Sequence, residues 1–115
     1  MKGDEHLRRV RRICLALTGV TEKLSHGAPA FFANKKTFAM FVDNHHRDGH
    51  IAVWVAAAPG EQAELIHASP EKYFMPPYVG YRGWVGVELS EVDDDELGFR
   101  LTEAWRLIAP RKRSS

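Results

Sequence analysis

Tyr73-Phe74-Met75-Pro76-Pro77-Tyr78-Val79-Gly80-Tyr81-Arg82-Gly83-Trp84-Val85-Gly86-Val87 is the stretch that decides how this chain folds. It holds all three tyrosines and two of the six prolines. Pro76 and Pro77 lack a backbone donor and fix φ, which bars the segment from a helix interior or a central strand and makes it a stiff extended connection. Gly80 and Gly83 allow two tight changes of direction. From Trp84 to Leu89 the residues then alternate as a strand. The expectation is a shaped loop presenting Tyr78, Tyr81, Arg82 and Trp84 at the entry to that strand.

Working outward toward the N-terminus, Ser69-Pro70-Glu71 reads as a short helical start and Glu61 to Ala68 as a short helix. Ahead of it lie three predicted strands, Ala28 to Ala33, Lys36 to Asp43 and His50 to Ala57, with a tight turn at Asn34-Lys35 and a longer one from Asn44 to Gly49. The second and third of these strands are apolar on both faces, so both faces are covered or put to use. Val20 to Pro29 reads as a loop from its Ser, Gly and Pro content. Asp4 is the expected cap of a first helix, closed by Gly19. In it Leu7, Val10, Ile13, Cys14 and Leu17 share an apolar stripe opposite Arg8, Arg9, Arg11 and Arg12. On the C-terminal side, Asp93 to Glu96 open a last helix in which Leu97, Leu101, Ala104, Trp105 and Ile108 form the buried stripe and Pro110 is the stop. The predicted order is α-β-β-β-α-β-α in one α+β domain over 1–115, with an ordered core of about 4–109 and a basic tail at 110–115.

A chain of 115 residues suffices for one core without covalent staples. A net charge of +1 imposes no global field, so any nucleic-acid or anion site must be local. Its single cysteine, Cys14, cannot form an internal disulfide, and its place on the apolar stripe argues against a reactive thiol. No apolar run approaches the roughly 18 residues of a membrane span. The expectation is a soluble, cytoplasmic, bacterial-type protein that uses no membrane.

Three phrases carry a resemblance: Leu24-Ser25-His26-Gly27-Ala28-Pro29-Ala30-Phe31-Phe32, Lys36-Thr37-Phe38-Ala39 and, above all, Pro77 to Val87. They resemble the MmcQ/YjbR family of small bacterial proteins, over about Leu7 to Pro110. The resemblance implies a frataxin-like (CyaY-like) fold, an antiparallel sheet with helices packed on one face, also described as a double-wing DNA-binding architecture. It implies DNA as the partner, by analogy of fold.

For that partner the basic residues Arg8, Arg9, Arg12, Lys35, Lys36 and Arg82 would contact phosphates, and Tyr81 and Trp84 would stack or wedge. The competing reading is a small-ligand site or an undescribed enzyme, an anion held by Lys36 and Arg82 against aromatic walls with His26, Tyr78 and Trp84 beside it. A third reading is a protein-interaction domain using the exposed sheet face, with weak self-association as its simplest form. No hydrolase elbow, phosphate loop or dinucleotide fingerprint occurs. The expectation is therefore a non-enzymatic protein with no catalytic residue and no cofactor. His45, His46 and His50 gather around the Asn44–Gly49 turn, where polar residues serve turn chemistry, and no resident metal is expected there.

Overall fold

His26-Gly27 and Asn34-Lys35 each turn the chain through two residues of positive φ, 52° and 81° in the first and 51° and 71° in the second. That pairing is the type I′ pattern, whose twist matches antiparallel strands. The turns join β1 (Val20–Ser25), β2 (Ala28–Ala33) and β3 (Lys36–Asp43) into a meander. Around it the computed structural model, which describes residues 2–43 and 50–109, places α1 (Lys2–Leu15), β4 (Ile51–Val55), α2 (Glu61–Ala68), β5 (Tyr73–Phe74), β6 (Val85–Glu88) and α3 (Asp94–Ile108). The six strands form one antiparallel sheet in the order β1-β2-β3-β4-β6-β5.

Opposed residues of a ladder share a face. The row Phe31–Ala39–Val55–Val85, with the parallel row Phe41–Val53–Val87–Tyr73, forms the face that α1 and α3 cover. Val10 and Cys14 from α1, and Leu97, Leu101 and Ala104 from α3, complete this core. Each fully buried Phe or Leu in it, such as Phe31 or Leu101, contributes about 1.5–3 kcal/mol. Asp93 caps α3, accepting a bond from the Glu96 amide at 2.8 Å. The expected apolar stripes of both long helices point inward, although Leu7, Ile13, Trp105 and Ile108 are only partly covered, and α1 ends at Leu15, short of Leu17 and the expected closing Gly19.

The predicted element order needs correction. Val20–Ser25, expected as a loop, is the edge strand, and Tyr73–Phe74 adds a second short strand, so the order is α-β-β-β-β-α-β-β-α. An edge strand open to solvent needs no apolar face, and Glu22, Lys23 and Ser25 hid its strand character. Its pairing follows from the His26-Gly27 turn. Ser69-Pro70-Glu71 starts no helix; the Ser69 carbonyl instead accepts from the amides of Lys72 (2.9 Å) and Tyr73 (3.1 Å) in a turn that feeds β5. Asp4 lies inside the first turn of α1 rather than at its cap. Among the described residues no helix is long and apolar enough to cross a membrane.

Candidate functional site

Among the described residues α1 and α3 pack against the central strands from the first face, and a cavity lies on the second. The central row of this second face runs Ala30–Met40–Trp54–Gly86–Phe74 across five strands. Phe74 lies over Gly86, where a Cβ would stand 2.6 Å from Cε1 of its ring. The connection from Met75 to Trp84 folds back over this face and leaves a cavity of about 590 Å³ between itself, the strands and the β1–β2 turn. Met40, Val42 and Trp54 line it from the sheet. Tyr78, Arg82 and Trp84 come from the connection, while Ser25 and His26 approach from the turn.

Local backbone chemistry shapes the connection. Gly80–Arg82 form a 3-10 turn closed by Gly83 at φ 88°. A Cβ on Gly80 would stand 2.6 Å from Cγ of Met75, so a side chain there would require the exposed Met75 side chain to shift. Tyr78 adopts φ 64°, a left-handed conformation that costs a side-chain-bearing residue about 1–2 kcal/mol. Gln62 of α2 secures the whole: its Nε2 donates to the carbonyls of Gly80 (2.8 Å) and Trp84 (2.6 Å). The Arg82 guanidinium stands 5.5 Å from the centre of the Trp84 ring, within cation–π range. Trp84 is only 4 % exposed, whereas Tyr78 is 65 % and Tyr81 86 % exposed.

Beyond this cavity, His50 pairs with the Glu88 carboxylate and stacks on Phe74 with ring centres 4.2 Å apart. His45 and His46, expected beside it, lie outside the described residues. Among the described residues no cluster of three His, Cys, Asp or Glu could hold a metal ion.

Residues 15–107 match the model of the YjbR family. The chain belongs to that family. Among solved structures, the YjbR chain is similar to the crystal structure of Deinococcus radiodurans protein DR2400, domain DUF419, at 19 % identity and a TM-score of 0.74, over 89 % of this chain and 77 % of the other. At that identity the likeness concerns the fold. No curated protein matches the chain.

Within this YjbR domain the residues expected at the site fall into separate groups. His26, Tyr78, Arg82 and Trp84, taken from two distant phrases, all line the cavity, whereas Lys36 does not, although its neighbour Thr37 does. Lys35 and Lys36 are exposed at the β2–β3 turn, and Tyr81 and Arg82 are exposed on the connection. Arg8, Arg9 and Arg12 sit on α1, which packs on the opposite face. Arg8 is exposed there, but Arg9 is a strut: it donates to the carbonyls of Leu89 (2.7 Å) and Val92 (2.8 Å) and to Asp94 (2.7 Å). Arg12 also binds Asp94, at 2.7 Å, and Arg11 grips Glu22 through two nitrogens.

Asp93, Asp94 and Glu96 of the acidic run are likewise committed to the fold. Hydrogen bonding from Arg9 holds the Asp94 carboxyl below the usual carboxylate range. The Tyr73 hydroxyl, helped by Lys72, does the same for Glu96, against an opposing contribution from burial. Burial pushes the Cys14 thiol up, away from the reactive thiolate. Met40, Trp54 and Gln62 were not legible as site residues. The first two read as ordinary strand residues, and Gln62 acts across a sequence separation that no local pattern reveals.

Proposed function

We propose that this protein binds a small, largely apolar molecule carrying an anionic group in the cavity on the sheet face opposite α1 and α3. The observation that carries the reading is the convergence of His26 with Tyr78, Arg82 and Trp84, some fifty residues apart in sequence, on one cavity of about 590 Å³. That volume falls within the range typical of small-molecule sites, and the mix of apolar walls with a few polar groups is the usual one. Helices covering one face and a site on the other agree with the frataxin-like plan, which belongs to this reading. A metabolite library screened by thermal shift tests it. Stabilisation that Arg82→Gln or Trp84→Leu weakens is expected; a full library without a single stabilising compound would refute a ligand site.

A nucleic-acid partner is the second reading. Tyr81, exposed beside Arg82, favours it, because an uncovered ring next to a guanidinium is what stacking on single-stranded bases uses. Lys35 and Lys36 add exposed charge at the β2–β3 turn. On this reading the phosphates lie along the cavity face, since Arg9 and Arg12 are engaged with acceptors on the other. Fluorescence anisotropy of labelled single-stranded and duplex DNA across salt separates the two. Binding that weakens steeply with salt and falls in Arg82→Gln or Tyr81→Ala would favour nucleic acid over a metabolite.

A further inference from the structure

We infer that the molecule this cavity accepts is an aromatic monocarboxylate. The inference rests on the ligand-site reading and assigns its chemical class. Among the described lining residues Arg82 carries the one guanidinium or ammonium group, and none is a carboxylate. A single guanidinium is matched by a carboxylate, which it grips with two parallel bonds. A phosphate dianion calls for more: several cations, or a nest of backbone amides at a helix start. Lys36, the nearest additional cation in sequence, is not among the lining residues. One negative charge is therefore the complement of this site.

The body of the ligand follows from the walls. Trp54 is opposed across the ladder by Gly86, over which the Phe74 ring lies, and it is Trp54 itself that lines the cavity from this row. Trp84 precedes Gly86 by two residues and points to the same face, diagonal to Trp54 and within reach of aromatic side chains. Two indoles, with the Tyr78 ring at the rim and the adaptable Met40 thioether in the floor, give ring faces and edges that an aromatic ligand fills better than an alkyl chain. Arg82 already rests over the Trp84 ring, so a carboxylate bound to it places its attached ring against the indoles. Thr37, Ser25 and His26 add hydrogen-bonding groups suited to a ring hydroxyl or carbonyl.

Quenching of tryptophan fluorescence reads this directly, with 2-naphthoate as the probe and naphthalene-2-methanol, octanoate and 2-naphthyl phosphate as comparators. The expected result is saturable binding of 2-naphthoate at least about tenfold tighter than the neutral alcohol, the factor one charge-assisted pair at a partly open site supplies. In Arg82→Gln, whose exposed side chain can be exchanged with the melting temperature unchanged, acid and alcohol should bind within about twofold of each other. Alcohol equal to acid in the unaltered protein, octanoate equal to naphthoate, or a preferred phosphate ester would each overturn the assignment. If a library compound binds while 2-naphthoate does not, the class is wrong and the cavity reading stands. If no library compound binds either, both fall.

Discussion

Gln62 donates its side-chain amide to the Trp84 carbonyl at 2.6 Å, tying α2 to the segment that forms one wall of the cavity. The same nitrogen reaches the Gly80 carbonyl at 2.8 Å, so one side chain spans both ends of the 3-10 turn that carries Arg82. Replacing it with leucine leaves two partly buried carbonyls without this donor, at a cost of about 1–2 kcal/mol. In Gln62→Leu, urea denaturation should shift by that amount. Amide exchange should accelerate from Met75 to Trp84 while the central strands stay protected. Unchanged exchange in that segment would show that Gln62 is not what secures it.

Gly86→Ala should destabilise the protein by about 1–3 kcal/mol, because the added methyl meets the Phe74 ring at 2.6 Å or closer. Shrinking that ring tests the cause. In the double variant Gly86→Ala with Phe74→Leu, much of the loss should return, giving a coupling of about 1 kcal/mol or more in a double-mutant cycle. Simple additivity would point to the backbone of β6 instead.

Arg8 and Arg9 are adjacent in sequence and opposite in consequence. The Arg9 side chain is 18 % exposed and holds two carbonyls together with Asp94. Arg9→Ala should lower stability by about 2–3 kcal/mol, while Arg8→Ala stays within about 0.5 kcal/mol of the original. Chemical denaturation compares them. A stable Arg9→Ala protein with weakened polyanion binding would instead make Arg9 a phosphate contact.

The Tyr73–Glu96 contact links stability to pH in both directions. Glu96 has its carboxyl lowered in the folded state, first by the Tyr73 hydroxyl and then by Lys72, and Asp94 is lowered by Arg9. A depressed carboxyl stabilises fully above its unfolded value and loses that contribution as pH falls through its folded value, so stability should decline below about pH 4–5. Burial and the Glu96 contact raise the Tyr73 phenol. Its contribution is complete below the ordinary phenol value and fades as pH rises above about 10. Glu96→Gln should flatten both limbs of a plot of melting temperature against pH. An unaltered acid limb would remove Glu96 from the account.

The parts of this fold that the sequence made legible are those with a one-dimensional signature. Val10 and Cys14 in α1, and Leu97 and Leu101 in α3, follow the helical period and are buried. Asn34-Lys35 announced its turn between two apolar runs. Val20–Ser25 was missed because its partner is supplied by a two-residue turn that needs positive φ at His26, a residue the local pattern placed in a loop. Tyr73–Phe74 was missed because two residues carry no period. At the site, Pro77 to Val87 drew attention to Tyr78, Arg82 and Trp84 through its composition. Met40 and Trp54 face the same space from central strands whose both sides are apolar, and such strands do not say which side is left open. Trp84, expected to be presented outward, is instead the buried wall behind Arg82.

The margin of β1 is an open edge of the sheet. Regular antiparallel pairing matches residues of the same hydrogen-bonding phase, so a strand meeting its own copy must place some residue opposite itself. The two alignments that engage most of Val20–Ser25 set Lys23 against Lys23, where exposed like charges repel, or Glu22 against Glu22, each held by its own Arg11. Leu24, 75 % exposed on that margin, would otherwise make it adhesive. Substituting threonine at both positions, Glu22→Thr with Lys23→Thr, should produce concentration-dependent light scattering that the unaltered protein lacks. If that scattering is seen, charge on β1 is a terminator that keeps a six-stranded sheet from serving as the template for a longer one.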